Sequence, residues 1–387
     1  MISNRNIIMN SDFSAEFPYK DRIYLNNAST SRMPKSSIEA MHDFLSKYSE
    51  YGPDSEMSDN YVRERIGNLR KAISQIIKCR PEEVVLTHSV TDGINFVANG
   101  MKFKPKSNVI TRGSNHEHPA NHYPWVRAGQ RLELREMQID EVGYFEFDTL
   151  KKTIDENTSL VVLSHALFNT GTILPVEEIG EYLAKKNIPY FIDAAQTVGC
   201  IDNVDVNKIK CDFMSFNGSK WLCGPMGMGI FFCKKESSEM VEPLQVGGES
   251  AIFHDNKIVY KEMPARFQAG FRNWVGTAGL EASVNYLLKI GIEKIRTRNI
   301  KLATLMREEL SKIPGVILFG PQEDKKRTSI VSFLIKDQNP ELVVKRLEKA
   351  NMILAVREIF SKKIIRASPH FFNTESEILQ VIEALRN

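Results

Sequence analysis

A lysine and an aspartate stand at a spacing, and in surroundings, that suit one kind of cofactor chemistry. Asp193 closes the apolar stretch Tyr190–Ile192, and Lys220 follows 27 positions later in a loop of small residues. Pyridoxal 5′-phosphate (PLP) needs an amine to form a Schiff base and a carboxylate to keep its pyridine nitrogen protonated. Because the loop lies between apolar runs, where an unpaired ammonium is costly, a solvated surface lysine is the weaker interpretation.

Gln196 follows closely after Asp193 and completes the predicted set. We assign Asp193 to the pyridine nitrogen and Gln196 to a hydrogen bond with the 3′ oxygen of the cofactor. The alternatives are that Asp193 caps a helix and that Gln196 is a surface amide. Together with Lys220, the set favours the cofactor interpretation.

Seven motifs in register resemble the class V aminotransferase family of fold-type I PLP enzymes. The branch they resemble contains cysteine desulfurases, selenocysteine lyases and isopenicillin N epimerase. The resemblance covers nearly the whole chain and implies an enzyme that acts at Cα of a small amino-acid substrate through a Lys220 Schiff base. The motifs are Tyr24–Ser29, Thr91–Asn95, Glu117–His118, Asp193–Gln196, Ser219–Lys220, Phe267–Gly270 and Arg366–Ser368.

A polar turn at Ser89–Ala98 leads from a predicted strand into an apolar helix. Helix N-termini bind phosphate through free N–H groups and the helix dipole, although Ser89 or Thr91 could equally be a plain N-cap. The resemblance implies that the turn holds the cofactor phosphate. It points to Thr91 and the backbone of Val90, joined by Asn217 where relatives commonly carry serine.

Three histidines, His116, His118 and His122, lie within seven residues of one another with Glu117 among them. A metal-dependent hydrolase is therefore an alternative, weakened by the turn-forming Pro119 and by the absence of an H-E-x-x-H helix. The resemblance instead implies that the His118 ring stacks over the pyridine face, where an imidazole could also move protons. We predict no metal site.

The resemblance also implies where the substrate binds. Arg366 matches the family arginine that holds the substrate α-carboxylate with two parallel hydrogen bonds, although a surface arginine is the alternative. Asn27 is a weaker candidate for the same pocket. Relatives of the desulfurase type carry an asparagine where this chain has Phe168. Asn169, one position along, is the nearest replacement and could bind the cofactor or the substrate. They also carry a histidine where this chain has Ser219.

The segment 356–366 departs from the desulfurases, which carry a nucleophilic cysteine on a mobile loop before the carboxylate-binding arginine. This segment is short and contains no cysteine. We therefore expect a lyase that eliminates a sulfur substituent from Cβ, with transamination as the close alternative and epimerisation as the third. A PLP fold retained as a binding or regulatory protein is a further alternative, against which the intact Lys220, Asp193 and Arg366 argue.

A contact with a neighbouring subunit is implied as well. Relatives carry a threonine that reaches the phosphate of the neighbouring subunit, and this chain has Phe271 there. Arg272 or Asn273 is the expected substitute, which implies a homodimer with shared active sites.

Charge and cysteine usage exclude other classes of function. The formal charge of +3 results from 51 basic and 48 acidic residues that are scattered along the chain, so neither nucleic acid nor a membrane is an expected partner. No apolar run approaches the roughly 20 residues of a membrane span, and no signal peptide is recognisable, which predicts a cytoplasmic protein. Five cysteines without a C-x-x-C pair indicate mostly reduced, buried thiols.

Alternating strand and helix patterns must position these residues. Short apolar runs separated by helical stretches predict an α/β fold with a mostly parallel sheet, whose strands carry the chemical motifs at their carboxyl ends. After about residue 262 the pattern indicates a smaller α+β domain, with helices at Leu280–Arg296 and Ile300–Lys312. We expect an N-terminal arm at 1–20, a large PLP-binding domain at 21–262 and a small domain at 263–387, as in the fold-type I PLP-dependent transferases.

Overall fold

A seven-stranded sheet forms the centre of the protein. The computed structural model describes residues 13–19, 21–113, 117–140 and 144–386. The strand order is β1-β7-β6-β5-β4-β2-β3; β7 is antiparallel to both neighbours and the other pairings are parallel, which confirms the predicted fold class. The strands are β1 (Val84–Thr87), β2 (Asn108–Thr111), β3 (Glu133–Glu136), β4 (Thr158–Ser164), β5 (Tyr190–Asp193), β6 (Phe213–Asn217) and β7 (Gly229–Cys233).

Both faces of this sheet are buried, which explains why its inner strands are continuous apolar runs. In β5, Tyr190 and Ile192 belong to one hydrophobic cluster and Phe191 to another. In β7, Ile230 and Phe232 alternate with Phe231 in the same way. The edge strand β3 has the sequence Glu-Leu-Arg-Glu and is partly exposed. It contains no apolar run, so the sequence pattern did not predict it.

The described residues contain eleven α-helices. Gly291, with φ 96°, separates a helix at Trp274–Ile290 from one at Ile292–Ser311. The boundaries expected for these two helices, Leu280–Arg296 and Ile300–Lys312, were therefore wrong. The helices are α1 (Lys35–Tyr51), α2 (Glu56–Ile77), α3 (Val90–Gly100), α4 (Tyr123–Ala128), α5 (Phe147–Thr153), α6 (Val176–Lys185), α7 (Val206–Ile209), α8 (Trp274–Ile290), α9 (Ile292–Ser311), α10 (Pro340–Lys349) and α11 (Glu375–Arg386).

Four antiparallel strands form a second sheet near the C-terminus, in the order β10-β11-β13-β12. Its own hydrophobic cluster unites residues of α9, α10 and α11 with the sheet. The domain boundaries stay a prediction. The strands are β8 (Ala251–His254) and β9 (Lys257–Tyr260), which form a separate hairpin, then β10 (Val316–Phe319), β11 (Val331–Ile335), β12 (Ala355–Ile359) and β13 (Lys362–Ala367).

The N-terminal segment lies beside the C-terminal sheet. Ile23–Tyr24 pairs in parallel with Met352–Ile353, and Asn26 bridges to Ser368. The first and last motifs of the chain are thereby brought together. Among the described residues no helix is long and apolar enough to cross a membrane, and the cytoplasmic location stays a prediction.

Substitution of Gly229 by alanine should destabilise the fold. A Cβ at this position would lie 2.5 Å from the carbonyl carbon of Ser89 and 2.7 Å from its Cα, where β7 passes the turn before α3. Because the obstacle is backbone, we expect the free energy of unfolding to fall by about 1–3 kcal/mol, measured by urea denaturation. The control is Gly248→Ala, at a position with no heavy atom within 4 Å of the added Cβ. Equal stabilities would contradict the close approach.

Candidate active site

The carboxyl ends of three parallel strands meet at one edge of the central sheet. Ser164 pairs with Asp193, and Asp193 pairs with Ser215, so the ends of β4, β5 and β6 lie side by side. Polar groups at such an edge face the crevice in which ligands of α/β sheets bind. Lys220 follows β6 directly and lies above the same edge.

The carboxylate of Asp193 is buried. Among the described residues it has one hydrogen bond, in which Oδ1 accepts from the backbone N–H of Ala195 at 2.9 Å. Burial raises the pKa of Asp193 to about 6. The Ala195 N–H and Lys220 lower the pKa, whereas the negative charge of Glu117 raises it. A cation bound at the open side of this carboxylate would favour its ionised form further.

The Lys220 amine makes no ion pair or hydrogen bond within the described residues, although the charges of Lys220 and Asp193 interact. Burial lowers the pKa of Lys220 to about 8. Asp193 opposes this shift, whereas Arg366 and Arg357 add to it. A lysine with a lowered pKa is more often neutral at physiological pH, which is the form that attacks a carbonyl.

The turn before α3 is organised by side chains. Ser89 caps the helix by accepting from the N–H of Asp92, and Asn217 Oδ1 accepts from the N–H of Val90 at 2.9 Å. The Val90 N–H is therefore already in use, and Asn217 ties the turn to β6. Neither the N–H nor the hydroxyl of Thr91 donates a hydrogen bond within the described residues. This leaves two donors at the N-terminus of α3 for an anion.

His118 lies close enough to Lys220, Arg357 and Arg366 for their charges to act on its ring. Its Nδ1 accepts from the N–H of Ala120 at 3.2 Å, so the neutral ring carries its proton on Nε2. Although much of the residue is exposed, its ring meets the edge of Phe168, with centroids 5.1 Å apart. Partial burial, followed by the charges of Lys220 and the two nearby arginines, lowers the pKa of His118 to about 4.

Gln196 and Asn27 are held by the protein itself. Gln196 donates to the carbonyl of Ala28 at 3.0 Å and accepts from the indole of Trp221 at 2.9 Å, which leaves one amide N–H. Asn27 donates to the carbonyl of Ser368 at 2.8 Å. Its oxygen accepts from the Ser31 hydroxyl. Asn27 therefore joins the N-terminal segment to the C-terminal sheet.

Asn169 is fully buried and turned toward the C-terminal sheet, where it donates to the carbonyl of Glu358 at 3.1 Å. Its Oδ1 is buried without a partner among the described residues. Asn169 makes no hydrogen bond to Lys220 or Asp193 among the described residues, and its cofactor and substrate roles stay predictions.

Arg366 is 1% exposed and has no carboxylate partner among the described residues. It donates to the carbonyl of Phe168 at 2.6 Å and to the hydroxyl of Ser29 at 2.7 Å, and its Nε is buried without a partner. Burial and the neighbouring Arg357 hold the pKa of Arg366 well below its usual value. A buried guanidinium that contacts only neutral groups is poised to bind an anion.

Arg357 is a second arginine that the sequence reasoning missed. It donates to the same hydroxyl of Ser29 at 2.6 Å and to the carbonyl of Val356. Ala355 pairs with Arg366 across β12 and β13. Arg357, two residues after Ala355, is therefore the diagonal neighbour of Arg366 on the same face of the sheet. The signal in the sequence was the spacing of nine residues around a two-residue turn, which brings both side chains to one face.

Glu117 is another residue whose role the motif alone did not reveal. Its Oε1 accepts from the Ser164 hydroxyl at 2.5 Å, and its Oε2 accepts from Nε of the fully buried Arg112 at 3.4 Å. This network fixes the residue that precedes His118. It also places a second negative charge near Asp193.

The segment 356–366 forms a tight hairpin between β12 and β13. Phe360 and Ser361 have φ of 44° and 65°, as a two-residue hairpin turn requires. Cys223 lies three residues after Lys220, but it is fully buried and its Sγ is 3.4 Å from the Ser31 hydroxyl. Burial raises the pKa of Cys223 to about 12, which disfavours the thiolate.

The histidine cluster receives no support as a metal site. Among the residues that the structure describes, no group of three His, Cys, Asp or Glu side chains could hold a metal ion. His116 lies outside the described residues. His122 meets the ring of Tyr123, whereas His118 faces the cleft.

Comparison with known proteins decides the family. The family model described as "Aminotransferase class-V" matches residues 23–381. The chain belongs to the class V aminotransferase family. It is 30% identical to a probable cysteine desulfurase of Methanothermobacter thermautotrophicus over 95% of this chain and 94% of the relative.

Solved structures agree with this membership. A cysteine desulfurase from Thermococcus onnurineus superposes with a TM-score of 0.87 and 28% identity, over 95% of this chain and 94% of that one. The cystine C-S lyase C-DES has a TM-score of 0.87 at 22% identity, over 96% and 99% of the two chains, and so shares the fold. The protein is therefore a PLP-dependent enzyme, and the metal-dependent hydrolase hypothesis has no support.

The residues of this class V enzyme fit PLP. Within the part of the chain that the structure describes, Asp193 offers a buried carboxylate with one oxygen free of protein donors, and Lys220 offers an amine without a protein partner. The Thr91 donors stand at a helix N-terminus. The pyridine nitrogen, the aldehyde and the phosphate of PLP thus each have a counterpart with an unused donor or acceptor among the described residues.

The lowered pKa of Lys220 predicts how the apoprotein captures PLP. Because the neutral amine reacts, the rate of capture should rise with pH through a midpoint of about 8. Asp193→Asn should move the midpoint to lower pH, since the carboxylate stabilises the ammonium. Stopped-flow growth of the visible absorption of bound PLP measures the rate, and Lys220→Ala, without the amine, is the control. A midpoint near the ordinary lysine value of about 10.4 would contradict the effect of burial.

Proposed function

We propose that this enzyme is a C–S lyase, which eliminates a sulfur substituent from Cβ of an amino acid without a cysteine nucleophile. The tight hairpin at Phe360 and Ser361 carries the proposal, because it leaves no loop in segment 356–366 and this segment holds no thiol. The buried Cys223, with its raised pKa, offers no substitute.

The cofactor is proposed to lie between four groups of this chain. Lys220 would hold it covalently until the amine of a substrate displaces the lysine, Asp193 would face the pyridine nitrogen, and Gln196 would use its remaining N–H for the 3′ oxygen. Thr91 at the N-terminus of α3 binds the phosphate, with Val90 and Asn217 shaping the turn through their 2.9 Å hydrogen bond. His118 closes the exposed face of the ring.

Arg366 is proposed to hold the α-carboxylate of the substrate. Its buried, unpartnered Nε and its remaining hydrogens suit a planar carboxylate, and binding would neutralise a cation that the protein leaves uncompensated. Fixing the carboxylate orients the Cα–H bond toward the Lys220 amine, which in its neutral form can remove the proton.

Bound PLP supplies an electron sink for the pair left at Cα. Loss of the Cα proton to Lys220 and departure of sulfur with the Cβ–S electron pair give a three-carbon product that water converts to pyruvate and ammonia. His118 carries a proton on Nε2 and faces this cleft, so it can donate a hydrogen bond to the departing sulfur. Desulfuration is the second candidate, because the relatives bear that name.

The products distinguish the candidates. With L-cystine or another Cβ sulfur-substituted amino acid, we expect pyruvate and ammonia in equal amounts without an added keto acid, measured by coupled assay. Lys220→Ala should reduce turnover by about two to four orders of magnitude, because the proton acceptor is lost.

Other products would identify other reactions. Alanine formed from cysteine, together with protein-bound persulfide, would indicate desulfuration and overturn the lyase proposal. A requirement for a keto-acid acceptor would indicate transamination, and release of the D-amino acid would indicate epimerisation. Cofactor binding without any turnover would indicate a regulatory protein.

We also propose that two copies form a homodimer through the β8–β9 hairpin and the loop at Gly270–Asn273. The hairpin is a two-stranded unit, a size rarely stable alone in water, and exposes four large apolar side chains. Phe271 is 83% exposed. These apolar side chains on the hairpin are Ile252, Phe253, Ile258 and Val259.

The same loop offers a donor to the partner's site. Asn273 caps α8 with its Oδ1, which accepts from the N–H of Gly276 at 2.8 Å, so the position of this side chain is fixed by the cap. Arg272 has Nε and Nη2 buried without partners among the described residues. Of the two expected substitutes for the family threonine, we propose that Arg272 reaches the phosphate of the partner subunit, because its positive charge and its unpartnered N–H groups suit an anion.

A charge on this surface should separate the subunits. We expect Phe253→Asp to raise the dimer dissociation constant by about tenfold to a hundredfold, because desolvating a carboxylate in an apolar interface is costly, measured by analytical ultracentrifugation. The matched control is Leu342→Asp, at a position that is 66% exposed on α10. A monomeric wild-type protein would contradict the proposal.

A further inference from the structure

A cavity of about 810 Å³ lies beside the first turn of α6 and the helix α9. Its lining includes none of the residues assigned to the PLP site, so the cavity shares no residue with the cleft around Lys220. A volume of this size can hold a small organic molecule. The apolar part of its lining consists of Ile173, Leu174, Pro175, Val176, Ile201 and Ile300.

His165 lines this cavity and has unused hydrogen-bonding capacity. The residue is 5% exposed, and its Nδ1 is buried without a partner among the described residues. Its Nε2 makes no hydrogen bond within the same part of the chain. Burial lowers the pKa of His165 to about 4, so the ring is neutral at physiological pH and offers one N–H donor. Because a buried polar group without a partner is costly, a ligand that accepts this hydrogen bond would be favoured.

Arg296 of α9 contributes a positive charge to the same cavity. Its Nη2 donates to the carbonyl of Asp324, whereas its Nη1 is buried without a partner among the described residues. The charges of Asp202 and Asp324 favour the guanidinium, and burial opposes it. The carboxylate of Asp324 forms its ion pair with Arg327 instead. Arg296 therefore keeps N–H groups that can bind an anion.

The first turn of α6 adds backbone donors. Pro175 precedes the helix and gives it no side-chain cap. The N–H groups of Glu177 and Glu178 have no acceptor among the described residues, and free N–H groups at a helix N-terminus favour an anion. The carboxylates of Glu177 and Glu178 are exposed, where solvent and salt screen them, so they oppose an anion in the cavity only weakly.

We propose that this cavity binds a small carboxylic acid with an apolar chain. The carboxylate of the ligand accepts hydrogen bonds from Arg296, His165 and the first turn of α6. Its chain contacts the apolar lining at Val176 and Ile300. Three kinds of donor that lie beside apolar walls suit a molecule with one negative charge and an apolar body. Neither PLP nor the cleavage of a C–S bond is involved, so this inference is independent of the proposed lyase function.

Three related molecules test the ligand class by isothermal titration calorimetry of the holoenzyme. Isovalerate has a carboxylate and a branched apolar chain, acetate lacks the chain, and isovaleramide has the chain without the charge. We expect acetate to bind at least about tenfold more weakly than isovalerate, because the buried methylene and methyl groups are lost. Isovaleramide should also bind at least about tenfold more weakly, because the charge-assisted hydrogen bonds are lost. The visible absorption of bound PLP should not change.

Variants of the cavity test where isovalerate binds. Arg296→Gln should weaken isovalerate binding by about tenfold or more, because the neutral amide forms weaker hydrogen bonds with a carboxylate. Ile300→Glu, at a partly exposed position, should abolish binding by placing a carboxylate in the cavity, and it leaves the donors in place. The matched control is Lys294→Gln, which removes a positive charge at an exposed position of α9 outside the cavity lining. Unchanged unfolding midpoints would show that the variants are folded.

Other results would overturn the inference. Equal binding of isovalerate and acetate, or of isovalerate and isovaleramide, would contradict the ligand class, and no binding of isovalerate would contradict the site. Isovalerate binding that shifts the PLP absorption, survives in Arg296→Gln and is lost in Arg366→Gln would place the ligand in the active site. Binding that depends on Arg296 would support the cavity site, whether or not the enzyme releases pyruvate.

Discussion

Uncompensated positive charge in a partly desolvated cleft is the constraint on which the active site depends. The charges of Arg357 and Arg366 act on Lys220, that of Arg357 acts on Arg366, and Asp193 is the carboxylate that opposes them at the lysine. Burial and mutual repulsion lower the pKa of the lysine to about 8 and keep the His118 imidazole neutral. Such a cleft favours the binding of anions. In a PLP enzyme the cofactor phosphate and the substrate carboxylate are the anions that bind.

Three distant parts of the chain must meet to build this cleft. The central sheet places Asp193 and Lys220, the N-terminal segment brings Ser29, and the hairpin of β12 and β13 brings both arginines. Asn27 holds the N-terminal segment to the carbonyl of Ser368. Residues near both ends of the chain therefore share one hydrogen-bond network, and the cleft exists only in the folded protein.

The hairpin is also the feature on which the proposal of a mechanism without a thiol rests. Phe360 and Ser361 turn the chain in two residues, and five backbone pairs hold the strands in register. A chain so short has neither the reach nor the nucleophile of a mobile catalytic loop. What the hairpin provides instead is a fixed position for Arg357 beside Arg366.

The sequence by itself determined the family, the cofactor and the fold class, because these depend on local signals. Apolar runs, a carboxylate at the end of a strand and a lysine in a loop of small residues are readable without knowing what lies opposite. The edge strand β3 and the helix break at Gly291 were not predicted, because charged edge strands and single glycines are weak signals in a sequence. Only the tertiary structure decided that Arg357 stands beside Arg366, that Asn27 and Asn217 support the site through protein hydrogen bonds, and that Glu117 holds Ser164. Those relations depend on strand register and on contacts between residues far apart in the chain, which no short motif encodes.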